Sequence, residues 1–300
     1  MNVVSTSPSA TEILYALGVE PVAASHACDY PPEVEEKPRI DASNIEGETS
    51  GERHEQLEAA SDDGHVYSVD AEKLRAVEPD LIVTQEVCGV CAVDTTVVDG
   101  VLADLEVDPE VVGLSASRLA DLYTCIRDVA RATGREDEAE ALIAELQARL
   151  ASIEARVPET GPRVTVMEWM DPIHIAGNWV PELVSVAGGE YGLADPGQSS
   201  MECDWSAVVD YDPEVVVVAP CSCGVEQTRN RLVELAERPG WDERSAVRAG
   251  EVYAFDGSSY LTRWSPRLVD AAERLASVFH PDAFGPPPGD VGRLSTPATS

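Results

Sequence analysis

Apolar positions along the chain follow two rhythms. Short β-rich runs such as Asn2–Ser5 and Val215–Ala219 alternate with stretches of helical spacing. The longest helical stretch is Glu136–Val157. Its Ala139, Leu142, Ile143, Leu146, Leu150, Ile153 and Val157 fall on one stripe. Glu, Gln and Arg fill the other face, and Pro158 and Gly161 end the run. At full length this helix would be about 30 Å long.

Before it, strands are expected at Asn2–Ser5, Val22–Ser25, Tyr67–Val69, Leu81–Thr84 and Val111–Leu114. Helices are expected at Thr11–Leu17, stopped by Gly18, at Ala71–Val77, closed by Glu78-Pro79, and at Leu119–Ala132. The acidic, apolar-poor stretch Ile40–Asp63 reads as a surface excursion. After it, strands are expected at Arg163–Met167, Val215–Ala219 and Val252–Phe255, and helices at Trp179–Ala187, Thr228–Ala236 and Pro266–Phe279. The all-apolar Val215–Ala219 suits a parallel sheet buried on both faces.

The rhythm predicts an α/β protein with two Rossmann-like lobes, each on a parallel sheet, joined by a long rigid backbone helix. Residues 1–115 form the N-terminal lobe, 116–160 the helical connector and 161–280 the C-terminal lobe. Residues 281–300, rich in Pro, Gly, Ser and Thr, are expected to be a disordered tail. A single sheet with an ordinary crossover helix is the alternative.

Hydrophobic residues make up 44% of the 300, enough for a sizeable core. The net charge of -34 turns nucleic acid and anionic membranes away as partners. It also favours a host with a salty cytoplasm, where the self-repulsion is screened; an ordinary acidic protein is the alternative. No apolar run is long enough for membrane insertion. The opening Met-Asn-Val-Val-Ser carries no basic region or lipid-anchor cysteine, so a cytoplasmic protein is expected, exported only if a leader has been removed.

In open parallel sheets, ligands sit at the carboxyl ends of the strands. Those ends carry Ser7, Cys28, Asp29, Tyr30, Gln85, Cys88 and Cys91 in the first lobe, and Glu168, Trp169, Cys221, Cys223, Ser258 and Tyr260 in the second. Two lobes facing across a cleft would bring both sets together. Glu168 could be a base, a metal ligand or a ligand-binding carboxylate, and binding is the simplest role without a positioned partner. A flat ring such as Trp169 suits stacking on a large planar ligand. Five of the chain's seven cysteines lie in this group. Cys28, Cys88, Cys91, Cys221 and Cys223 could hold zinc or an iron–sulfur cluster, or they could pack tight turns as small hydrophobes. Cys125 reads as core packing. There is no phosphate-binding glycine loop after any strand and no Ser-His-Asp set.

The opening Val3-Val4-Ser5-Thr6-Ser7-Pro8-Ser9-Ala10-Thr11-Glu12 resembles the first strand and helix of helical-backbone substrate-binding proteins. Those serve ABC importers of cobalamin, haem and iron–siderophores. Cys28-Asp29-Tyr30-Pro31-Pro32, Glu78-Pro79-Asp80-Leu81-Ile82 and Ala246-Val247-Arg248-Ala249-Gly250-Glu251-Val252-Tyr253 are similar to landmarks of that family, most of all its cobalamin-binding branch. The resemblance covers roughly residues 1–280. It implies a non-catalytic protein holding cobalamin or a related metal chelate between two lobes, with an ABC transporter permease as partner. The missing export signal and the cysteines imply a soluble, cytosolic branch. Its alternative role is a metal- or cluster-binding sensor, chaperone or redox unit.

Overall fold

The computed structural model describes residues 1–45, 47, 49–63, 66–86, 93, 95–105 and 108–294. The chain divides into two compact units. One comprises Met1–Glu48, Glu52–Ala116 and Ala120–Glu145; the other comprises Thr49–Gly51, Ser117–Leu119 and Leu146–Ser300. The division falls inside the long helix Glu136–Glu154, which has 19 residues and is therefore about 28 Å long. Its stripe is buried as the spacing predicts: Ala139, Ile143, Leu146, Leu150 and Ile153 are all in the core.

In the first unit the sheet runs Ala23–Ala24, Val3–Ser5, Leu81–Gln85, Glu110–Leu114, all parallel. Val4 aligns with both Ala23 and Ile82, and these pack with Ile40, Leu74 and Val98. The first helix, Pro8–Ala16, starts where Ser7 Oγ accepts from Ala10 N at 3.3 Å and Pro8 takes the first helical position. Gly18, at φ +71°, supplies the left-handed residue that ends it.

Two helices differ from expectation. The acidic excursion contains Ser50–Asp63 as a helix, with Asp41–Ser43 pairing antiparallel to Tyr67–Val69. Its Glu, Gln, Leu and Ala are good helix formers, but so few apolar residues leave no periodic stripe to read. Thr95–Leu105 is also helical. Its Thr-Thr-Val-Val start favours strands by propensity, and packing of Val98 with Leu74 and Ile82 overrides that.

The second unit's sheet runs Met201–Glu202, Ile173–Ile175, Arg163–Met170, Val215–Val218, Val252–Ala254, Gly292–Arg293, with Glu190–Tyr191 also pairing with Arg163–Met170. Its centre is parallel as expected, whereas Ile173–Ile175, Met201–Glu202 and Gly292–Arg293 join antiparallel. The expected helix at Thr228–Ala236 is two short ones, Val225–Asn230 and Val233–Ala236. Leu268–Phe279 packs on Val180–Val186 and buries Leu268, Val269, Leu275 and Val278.

The stretch from Pro281, expected to be disordered, is ordered as far as it is described. Pro281–Phe284 is a helical turn, and Gly292 and Arg293 pair with Ala254 and Tyr253. Val291 and Leu294 are buried. Two apolar anchors and one strand pairing hold a segment whose composition reads as tail.

Candidate functional site

In the first unit the described residues of the expected set lie after strands, some buried and some exposed. Ser7 is fully buried and caps the first helix. Cys28 is buried against Tyr15, Ala24 and Val34, with its Sγ 3.0 Å from Thr11 Oγ1. Gln85, the last residue of its strand, is also buried. Asp29 and Tyr30 are exposed, and Tyr30, 44% exposed, leads into a cis peptide bond with Pro31. Cys88 and Cys91 lie outside the described residues.

Beside them stands a pair the motif reading passed over. His26 N and Nδ1 both approach Asp41 Oδ1, at 2.6 and 2.9 Å. Asp41 lay hidden in the acidic excursion, and only the pairing of Asp41–Ser43 with Tyr67–Val69 sets it. His26 could have been singled out as a histidine directly after a strand.

In the second unit, Glu168 sits at a bulge. Met167 pairs with Ile175 but Trp169 pairs with His174, so Glu168 is the extra residue on its strand. Burial pushes its carboxyl up to about 7, and a hydrogen bond from Ser200 pulls it partly back. Ser200 Oγ in turn accepts from Gly177 N at 3.0 Å. Tyr191 is close enough for its own hydroxyl to feel Glu168. Burial first, then that carboxylate, raises Tyr191 well above the usual tyrosine range. Its hydroxyl donates to Ala176 O at 2.6 Å. Ser200 and Tyr191 are sequence-distant from Glu168, and no motif marks them.

Trp169 is half-buried, and its Nε1 donates to Asp171 O at 3.1 Å and Ser50 O at 3.2 Å. Cys221 and Cys223 flank Ser222, which is left-handed at φ +61°, in a turn closed by Cys223 N donating to Pro220 O. Gly257 packs onto this turn so closely that a Cβ would lie 2.1 Å from Pro220 O. Cys223 is buried with Arg231 Nη1 3.8 Å from its sulfur, while Cys221 is half-buried. Ser258 is half-buried, and its backbone N donates to Asp256 Oδ1. Tyr260 is buried: its hydroxyl donates to Asp290 Oδ2 at 2.7 Å, and Arg274 lies 4.1 Å over its ring.

Among the described residues no three His, Cys, Asp or Glu side chains gather to hold a metal ion. Cys28 and Cys223 are enclosed by protein atoms. The zinc and iron–sulfur alternatives draw no support from the described residues.

Residues 3–258 match the family of periplasmic binding proteins. The chain belongs to this family. It is 25% identical over 294 residues to YvrC of Bacillus subtilis (strain 168), an uncharacterized ABC transporter substrate-binding lipoprotein; the match spans 94% of this chain and 81% of YvrC. It is 28% identical over 157 residues to a cobalamin-binding protein of Halobacterium salinarum (strain ATCC 29341 / DSM 671 / R1), spanning 51% of this chain and 42% of that protein. The solved structure of a periplasmic heme binding protein from Pseudomonas aeruginosa matches with a TM-score of 0.76 at 20% identity, covering 99% of each chain. That likeness is one of fold: two α/β lobes of the helical-backbone type.

Family and relatives correct one expectation. A periplasmic family and a lipoprotein relative point away from the cytoplasm, so neither a cytoplasmic protein nor a cytosolic branch stands. The expectation rested on the first few residues, and the folded lobes are the same whichever compartment receives them.

Proposed function

We propose that this protein is a non-catalytic receptor for a metal chelate, cobalamin foremost, which it passes to an ABC transporter permease. The observation that carries the reading is the similarity to a protein described as cobalamin-binding, within a family of substrate-binding proteins. In the first unit the exposed Tyr30 offers a ring for the flat face of such a ligand, with exposed Asp29 beside it as a polar partner. In the second unit the half-buried Trp169 offers a ring and the half-buried Ser258 a polar partner. Ser7, Gln85 and Tyr260 are scaffold in this reading, because each is buried and Ser7 and Tyr260 are already bonded within the protein.

Calorimetric titration tests it. Cyanocobalamin and ferric protoporphyrin should be tried in parallel, with mass spectrometry of the recovered ligand. The expected result is one site for a chelate with Kd near or below 1 μM, about -8 kcal/mol, and the ligand recovered unchanged. Folded protein that binds neither would refute the reading. Chemical conversion of the ligand would refute its non-catalytic part.

A further inference from the structure

His26 stands at the carboxyl end of the first unit's parallel sheet, two residues after the strand Ala23–Ala24. Its backbone N and ring Nδ1 both donate to Asp41 Oδ1, a two-point grip that fixes the ring plane. A carboxylate can only accept, so Nδ1 carries a proton and Nε2 is the ring nitrogen left for another partner. The His26 side chain is 32% exposed, whereas that of Asp41 is 0% exposed. Nε2 meets no hydrogen-bond partner among the described residues. The ring leans on Tyr67, centroid to centroid 5.8 Å.

Asp41 Oδ2 is buried without a hydrogen-bond partner. A buried carboxylate whose second oxygen has no partner is poorly compensated. Positive charge on the far side of the ring would offset that. Metal-ligating histidines characteristically hand their other N–H to a carboxylate, which fixes the tautomer and raises the basicity of the free nitrogen. A metal whose other positions are filled by its own chelator needs only one such donor.

We propose that His26 Nε2 coordinates the metal of the bound chelate, an iron or cobalt with an open axial position, and that Asp41 is the positioning residue that aims the ring. This rests on the chelate-binding reading above. The probes are ferric protoporphyrin and aquacobalamin, one for each metal, titrated into the wild-type chain and followed by visible absorption. Whichever binds should shift to an imidazole-ligated spectrum. His26→Ala should lose that spectrum and at least ten-fold in affinity, and free imidazole should restore the spectrum. Asp41→Asn should weaken binding about 10–100-fold.

Because His26→Ala strips Asp41 of its partner, His26→Gln is made alongside. Its amide can still donate to Asp41, so the fold is kept, yet the imidazole spectrum should be lost. A His26→Ala or His26→Gln protein with the wild-type spectrum and affinity overturns the assignment and leaves chelate binding standing. Wild-type protein that binds neither probe overturns both.

Discussion

Replacing Glu168 with glutamine should abolish a loss of stability that the wild-type protein suffers as pH rises. The Glu168 carboxyl is raised by burial from 4.5 to about 7 in the folded chain. Below pH 4.5 it is protonated in both folded and unfolded states and contributes no pH dependence. Between 4.5 and 7 the folded state holds a proton that the unfolded state releases, so stability falls as pH rises. Above 7 the loss is complete. At about 1.4 kcal/mol per pH unit the gap corresponds to a ceiling of about 3 kcal/mol. Glutamine keeps the size and can still accept from Ser200, but it never ionises. Urea unfolding of both proteins at pH 5 and pH 8.5 isolates the effect, because every other titrating group is shared. The variant should gain about 2–3 kcal/mol relative to wild type between the two conditions. A difference that stays constant with pH would refute the argument and return Glu168 to a solvated carboxylate. Ser200→Ala should act oppositely: it removes the bond that holds the carboxyl down, so the window of lost stability extends above pH 7.

Other outcomes follow from the packing. Tyr260→Phe should cost about 1 kcal/mol in urea unfolding, through the lost bond to Asp290, while leaving chelate affinity unchanged. Arg149 bonds to both Glu273, at 3.0 and 2.8 Å, and Asp270, at 2.6 Å; Arg149→Met should lower stability by about 1 kcal/mol, and the loss should shrink in high salt. Peptide mapping after brief thiol labelling at pH 8 should find half-buried Cys221 modified before buried Cys28, Cys125 and Cys223; burial raises the Cys125 thiol to about 12, and its early labelling would contradict the packing. With 55 acidic residues against 21 basic ones, the unfolding temperature should rise from 0.01 M to 1 M KCl as the screening length falls from about 30 Å to about 3 Å; a flat curve would show that the surface charge is already compensated.

Burial against a sheet is what made most of the fold legible in advance. The stripe from Ala139 to Ile153 and the run Val215–Val218 bury the residues their patterns select, because period and burial are the same physical fact. The Ser50–Asp63 helix buries so little that its pattern is nearly blank. Pairing of Gly292–Arg293 with Tyr253 and Ala254 depends on a strand some forty residues away, which no local window contains. The strand exits were also legible, and so was the family, since the motifs that mark it lie on those exits.

Which exit residues are buried and which exposed was not legible. Ser7, Cys28, Gln85 and Tyr260 have the right chemistry at the right places, but their neighbours use it or enclose it. His26 with Asp41, and Glu168 with Ser200 and Tyr191, join residues that only folding brings within reach. The chain's own pattern thus determined the lobes, their strand order of appearance and the loops that carry chemistry, because each follows from local period and from the rule that parallel strands present their carboxyl ends. Tertiary structure alone decided which carboxyl is raised and which imidazole is aimed, because a proton affinity or a ring orientation is set by the distance and burial of atoms contributed by other parts of the chain.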